Sequence, residues 1–265
     1  DPEENDLSMD MWINSNGTKI IEIIDKIEKI NLSNDATEIL KIALLTNSYF
    51  PIRNMTKDKF LKIKSDLLIK QQDLDLIESY LSKNKNLKNE YILINFYLNY
   101  YLSRTEIEKA CNIFDKINFP INDNNTSKFE VYCLINANKK EEAQLIFDLL
   151  KESGFEDIFF EKKFNFLMGY SEEIDEQISE KSILNFHLSH RANPEFKFVP
   201  DETTSKNIWR YLSNSNLLES IDNIDLEDQN KIIIIEKATH ERNYNEKELY
   251  NLYKRFQFNI NQLLT

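Results

Sequence analysis

Glycine is nearly absent from this chain: among 265 residues there are three, Gly17, Gly154 and Gly169. A G-x-G-x-x-G dinucleotide loop, a Walker A phosphate loop and a G-x-S-x-G nucleophile elbow all need glycines close together, so none can be written. Proline and cysteine are as sparse, at five and two. Two cysteines cannot build a Cys-rich zinc site or a disulfide framework. Cys111 and Cys133 are open to two readings, a pair or two buried thiols filling helix interfaces as small hydrophobes, and neither has an obvious activating base. Long apolar runs are missing too. The longest uncharged stretches, Ile42–Ile52 and Tyr91–Ser103, fall short of the ~18 residues of a membrane span.

Positive charge is in deficit: 33 Lys and Arg stand against 45 Asp and Glu, a net charge of −12. That balance argues against nucleic acid as a partner, because neutralising phosphates needs a basic face. The acid is clustered at residues 1–10, at 171–180 and around Glu219, Asp222, Asp225, Glu227 and Asp228. These blocks read as solvated loops and helix starts, and none has the D-x-[DN]-x-[DN]-G spacing of a calcium loop. The chain opens on Asp1 with no basic-then-apolar leader, as expected of a processed or trimmed chain. The expected setting is soluble, cytoplasmic or periplasmic.

What is present is helix-forming: Leu, Ile, Lys and Glu throughout, with apolar residues at helical spacing. The spacing predicts helices near 18–30, 35–47, 57–70, 73–83, 89–103, 106–117, 127–137, 140–152, 158–169, 179–190, 204–214, 229–241 and 245–256. Asp35-x-x-Glu38, Thr105-x-x-Glu108, Ser127-x-x-Glu130 and Asn245-x-x-Glu248 match capping boxes. Gly154 followed by Phe155 suits a helix end. Phe196-Lys-Phe-Val199, between two prolines, reads as a short extended piece.

The middle of the chain repeats at 33 residues. Leu68, Tyr101, Leu134 and Leu167 share one column, and Ile77, Ala110 and Ala143 another. Tyr80, Ile113 and Ile146 follow, then Leu81, Phe114 and Phe147, with Ile63, Phe96 and Phe129 also in phase. Each unit is a pair of helical segments with a short polar break. The segments Val131–Leu150 and Thr105–Ile117, with Ala110 and Ala143 as small residues and Phe114 and Phe147 as aromatic ones, resemble the tetratricopeptide-type repeats over roughly residues 60–170. The first-helix Trp and Gly of that family are missing, Ile77 stands where a small residue is usual, and only Pro120 matches the terminal proline. The whole chain, with Asp10-Met-Trp12 and Asn261-Gln-Leu-Leu264, is also similar to alphaproteobacterial helical-repeat proteins.

The expected fold is therefore all-α, a right-handed superhelical array of antiparallel helix hairpins. An acidic arm (1–11) and capping helices (12–56) precede the repeats (57–190). A linker (191–203) and a helical cap (204–265) follow. If the first helix of each unit lines a groove, as the resemblance implies, Asn95, Asn99, Lys128, Tyr132, Asn136 and Asn165 face it. A row of amides can bond an extended peptide backbone without demanding its sequence. Tyr97 and Tyr100, beside Phe96 and Tyr101 in the packing columns, are candidate surface anchors. His187 and His190, three apart, could share a helix face and a metal, but no third ligand can be identified. No cofactor is expected. The reading that follows is a non-catalytic scaffold for a protein or peptide partner. Its competitors are an accessory region of a larger enzyme, such as a cell-wall lytic enzyme, and a metal-dependent hydrolase.

Overall fold

A computed structural model describes residues 2–84, 91–117, 121 and 123–256. Among the described residues the regular structure is helical, with one isolated bridge, Asn16–Arg53, and no strand. The helices are α1 (Gly17–Ile27), α2 (Asn34–Leu45), α3 (Lys57–Gln71), α4 (Leu74–Lys83), α5 (Tyr91–Ser103), α6 (Ile107–Lys116) and α7 (Asn124–Asn136). They continue with α8 (Lys140–Glu152), α9 (Ile158–Met168), α10 (Ile183–Arg191), α11 (Lys206–Asn214), α12 (Gln229–His240) and α13 (Glu246–Lys254). Every one falls where apolar spacing placed it. Pro120 and Asn261–Leu264 lie outside the described residues.

The helix starts are set by side-chain oxygens that accept otherwise orphaned backbone N–H groups. Asn16, Ser33, Thr56, Asp73, Asp123, Asp157, Ser182, Ser205, Asp228 and Asn245 all do this. Only Asn245 among the four expected capping boxes is a cap. Ser33 replaces Asp35, and Asp123 starts α7 early enough to bury Ser127 inside it. The end of α8 is as expected: Gly154 sits at φ +88°, its N–H reaches Lys151 O, and the Phe155 N–H reaches Leu150 O.

Thr105 has a different job from the one expected. It adopts φ +62°, Gln72 adopts +53° and Asn138 +59°. These residues stand 33 apart, one in each turn from α3 to α4, α5 to α6 and α7 to α8. Each of these three turns thus carries a left-handed residue, a conformation that costs non-glycine side chains about 1 kcal/mol or more. Glycine scarcity does not remove such turns; here they are made with Gln, Thr and Asn. Gly17 is needed for another reason. A Cβ there would lie 2.5 Å from Met55 Cβ and 2.6 Å from Asn54 O, where the α2–α3 connection crosses the start of α1.

The chain divides into two compact units, residues 2–96 with 117, and residues 97–116 with 121 and 123–256. The division falls within α5 and not at 191–203. In the first unit Ile20, Leu44, Met55, Phe60 and Leu67 form a core, with Trp12 edge-on to Phe60. The N-terminal arm is ordered against this unit: Met9 O accepts the Tyr49 N–H at 2.7 Å, and Trp12 Nε1 donates to Ala43 O. In the second unit α7 packs against α6, α8 and α9, α9 against α10, and α10 against α11. A second core, Trp209, Ile221, Ile224, Ile232, Ile235, Ala238, Tyr244 and Leu252, joins α11 to α13. Residues 191–203 are no free linker, because Ala192, Asn193 and Phe196 are buried.

Candidate functional site

Tyr132, on the face of α7 expected to be open, is instead buried against His187 of α10. Ser182 starts α10 after the irregular residues 169–182, and its helical spacing turns His187 and His190 to one side. His187 Nε2 lies 2.6 Å from the hydroxyl of Tyr132 on α7, and its Nδ1 lies 2.8 Å from the hydroxyl of Tyr211 on α11. His190 Nδ1 lies 2.7 Å from that same Tyr211 hydroxyl. The result is a chain of four side chains across three helices. One satisfied order has Tyr132 donating to His187 Nε2, His187 Nδ1–H donating to Tyr211, and Tyr211 donating to His190; the reverse order also works. Both leave His187 neutral.

Burial holds His187 in that state, pushing its pKa down to about 3, with the Arg191 charge and His190 adding to the effect. His190 is lowered by burial and then by Arg191. Burial raises Tyr132 to about 12 and raises Tyr211 as well. The network is thus a neutral, hydrogen-bonded brace. The expected shared face of His187 and His190 exists, but a tyrosine hydroxyl occupies it where a metal ion would stand. Among the described residues no group of three or more His, Cys, Asp or Glu is placed to hold a metal.

A pH dependence follows. The unfolded chain binds a proton at His187 below about pH 6.5, while the folded chain does not until about pH 3. Stability from this group is therefore whole above about pH 6.5 and is lost as pH falls toward 3. Between pH 7 and 4.5 it amounts to about 2–3 kcal/mol. Urea unfolding of the parent and His187→Gln at both pH values measures it. The variant should lose about 2–3 kcal/mol less over that interval; an equal loss would mean that His187 is already protonated when folded.

Cys111 on α6 and Cys133 on α7 form a disulfide with a Cα–Cα separation of 5.4 Å, which settles the two readings as a pair. Lys128, expected to face a groove, is instead buried and holds Asp157 at 3.2 Å. Lys163 on α9 is fully buried, and its ammonium pairs with Asp175, so one member of the acidic 171–180 block is structural and not merely solvated.

The expected binding residues are not brought together on one open surface. Tyr132 and Tyr97 are buried, at 3% and 2% exposure, which removes Tyr97 as a surface anchor. Tyr100 is half-buried, with the Arg104 and Arg210 guanidiniums 4.6 and 5.9 Å from its ring centre. Asn95, Asn99 and Asn165 are half-buried; Asn136 is exposed beside Thr105–Lys109. The Asn214 side chain of α11 reaches Ser103 O, so α11 leans on the end of α5.

An open apolar surface lies elsewhere in this unit. Residues 196–200, which lie outside any helix, with Phe196 and Phe198 packed at 5.4 and 4.9 Å from the Phe186 ring, form one wall of a groove of about 370 Å³. Trp209, Leu217, Leu218, Ile224, Ile234, Ile235 and Tyr244 line the rest, with Lys197, Lys231 and Glu219 at the lip. A smaller crevice of about 310 Å³ in the first unit lies among α1, α2 and α3. Composition hides this groove, since its walls come from five stretches of chain, of which only Phe196–Val199 is conspicuous in the sequence. No helix among the described residues is long and apolar enough to cross a membrane. No protein-family model, curated protein or solved structure matches the chain.

Proposed function

We propose that the protein is a non-catalytic scaffold, a right-handed tetratricopeptide-like array of hairpins, which holds a segment of a partner protein in the 196–200 groove. Three things support the array: the left-handed turns at 72, 105 and 138, the packing of α7 on both α8 and α9, and the buried small residues Ala110 and Ala143. The observation that carries the binding role is the groove itself. It is apolar, open and flanked by backbone outside any helix, while the histidine and tyrosine groups best suited to chemistry are already bonded to one another. The Cys111–Cys133 bond favours an oxidising compartment, periplasmic or extracellular, over the cytoplasm.

Affinity capture from the native cell tests this with two variants carried alongside the parent. Val199→Glu combined with Leu218→Gln should reduce the captured partner at least tenfold. Val199 is 75% exposed, so Val199→Glu alone should leave the melting temperature in place. Leu218, half-buried on the Trp209 core, adds a modest fall in the double variant. Asn99→Ala with Asn136→Ala should leave capture intact. The opposite pattern would move the partner to the amide row and overturn the groove.

A further inference from the structure

Resting on the scaffold reading, we propose that the groove takes its partner as an added extended strand along Lys197–Val199, and that this segment is basic with large apolar side chains at alternate positions. The backbone is the first argument. The Phe196 N–H is bonded to Asn193 O at 3.2 Å, and the Asp201 N–H to Thr204 Oγ1 at 3.0 Å. Between them, Lys197, Phe198 and Val199 make no backbone hydrogen bond to any described residue, and Pro200 has no N–H to offer. A run of backbone with free donors and acceptors is a template for strand addition.

The side chains are the second argument. Phe196 is buried, Lys197 exposed and Phe198 half-buried against Phe186, the two-residue alternation of a strand. A strand laid beside it turns every second side chain of its own toward the apolar floor formed by Trp209, Leu218 and Ile234.

Charge names the partner. The loop that lines the groove through Leu217, Leu218 and Ile224 carries Glu219, Asp222, Asp225, Glu227 and Asp228 and no base. Glu195, Asp201 and Glu202 flank Lys197 on the other wall. Lys231 and Glu219 neutralise each other, and Arg255, bonded to the Ile221 and Ile224 carbonyls, is the remaining base against the other loop acids. The surroundings are net negative, which favours a basic segment. The same charge opposes a second copy of this chain, whose own groove region and net charge of −12 would repel.

Four short synthetic peptides test the proposal by calorimetry and by amide hydrogen exchange on the full chain. One alternates lysine and leucine, one glutamate and leucine, and one lysine and serine; the last is the lysine–leucine peptide with N-methylated leucines. The lysine–leucine peptide should bind, weaken with added salt, and slow exchange at least tenfold at alternate amides, either Lys197 and Val199 or Phe198. The other three should bind at least tenfold more weakly and leave exchange at those amides unchanged. Equal binding of the N-methylated peptide overturns strand addition, equal binding of the glutamate peptide overturns the charge assignment, and equal binding of the serine peptide overturns the apolar anchor. If no peptide binds while Val199→Glu with Leu218→Gln still abolishes partner capture, this inference fails and the scaffold reading stands. Loss of that dependence on the groove removes the scaffold reading itself.

Discussion

Replacing Phe147 with alanine should cost about 3–5 kcal/mol of folding stability. Its ring is 3% exposed and sits between α8 and α9, with ring centres 5.7 Å from Phe160 and 4.3 Å from Phe164. Truncation leaves a cavity that three facing helix turns cannot close without moving Phe160 and Phe164, both nearly fully buried. Phe114, 33 residues earlier, is only half-buried, so Phe114→Ala should cost roughly half as much. Equilibrium urea unfolding reads both. A loss under about 1 kcal/mol at Phe147 would mean that α8 and α9 do not pack through this residue.

Breaking the Cys111–Cys133 bond should be nearly as costly. The bond joins the second helix of one hairpin to the first helix of the next and closes a loop of 22 residues in the unfolded chain. Restricting a loop of that length contributes about 3 kcal/mol by the chain-entropy argument. For a chain of this size that corresponds to a fall in melting temperature of roughly 6–12 °C. Cys111→Ser with Cys133→Ser, compared with the parent with and without reductant, measures it. Reductant should move the parent to the value of the double variant and leave the variant unchanged. A parent insensitive to reductant would mean that the bond does not form.

The helices were legible because apolar spacing is a local signal, carried within ten or fifteen residues of each helix. The inward face of α5 was not. Tyr91-Ile-Leu-Ile-Asn-Phe-Tyr-Leu-Asn-Tyr-Tyr is apolar all round, so periodicity cannot choose a side, and Tyr97 is buried although the columns favoured Phe96 and Tyr101. Thr105 was misread because caps and left-handed turns draw on the same small polar residues. The bond from His187 to Tyr132 spans 55 residues and the disulfide 22, and nothing local announces either. The groove shares this property. Its walls are Phe196–Pro200, Trp209, the Leu217–Ile224 loop, α12 and Tyr244, brought together only by folding.

The burial of Tyr132 against His187 of α10 interrupts the amide row, and the 196–200 groove is an open apolar surface of the same unit. Nuclear magnetic resonance of the imidazole nitrogens tests the contact directly. With His187 buried between the Tyr132 and Tyr211 hydroxyls, its ring should stay neutral through pH 5 and titrate only near 3. Its N–H proton should remain visible, protected from exchange with water. A His187 that titrates near the ordinary 6.5, with a rapidly exchanging ring proton, would contradict the account, because the face of α7 would then be open to solvent.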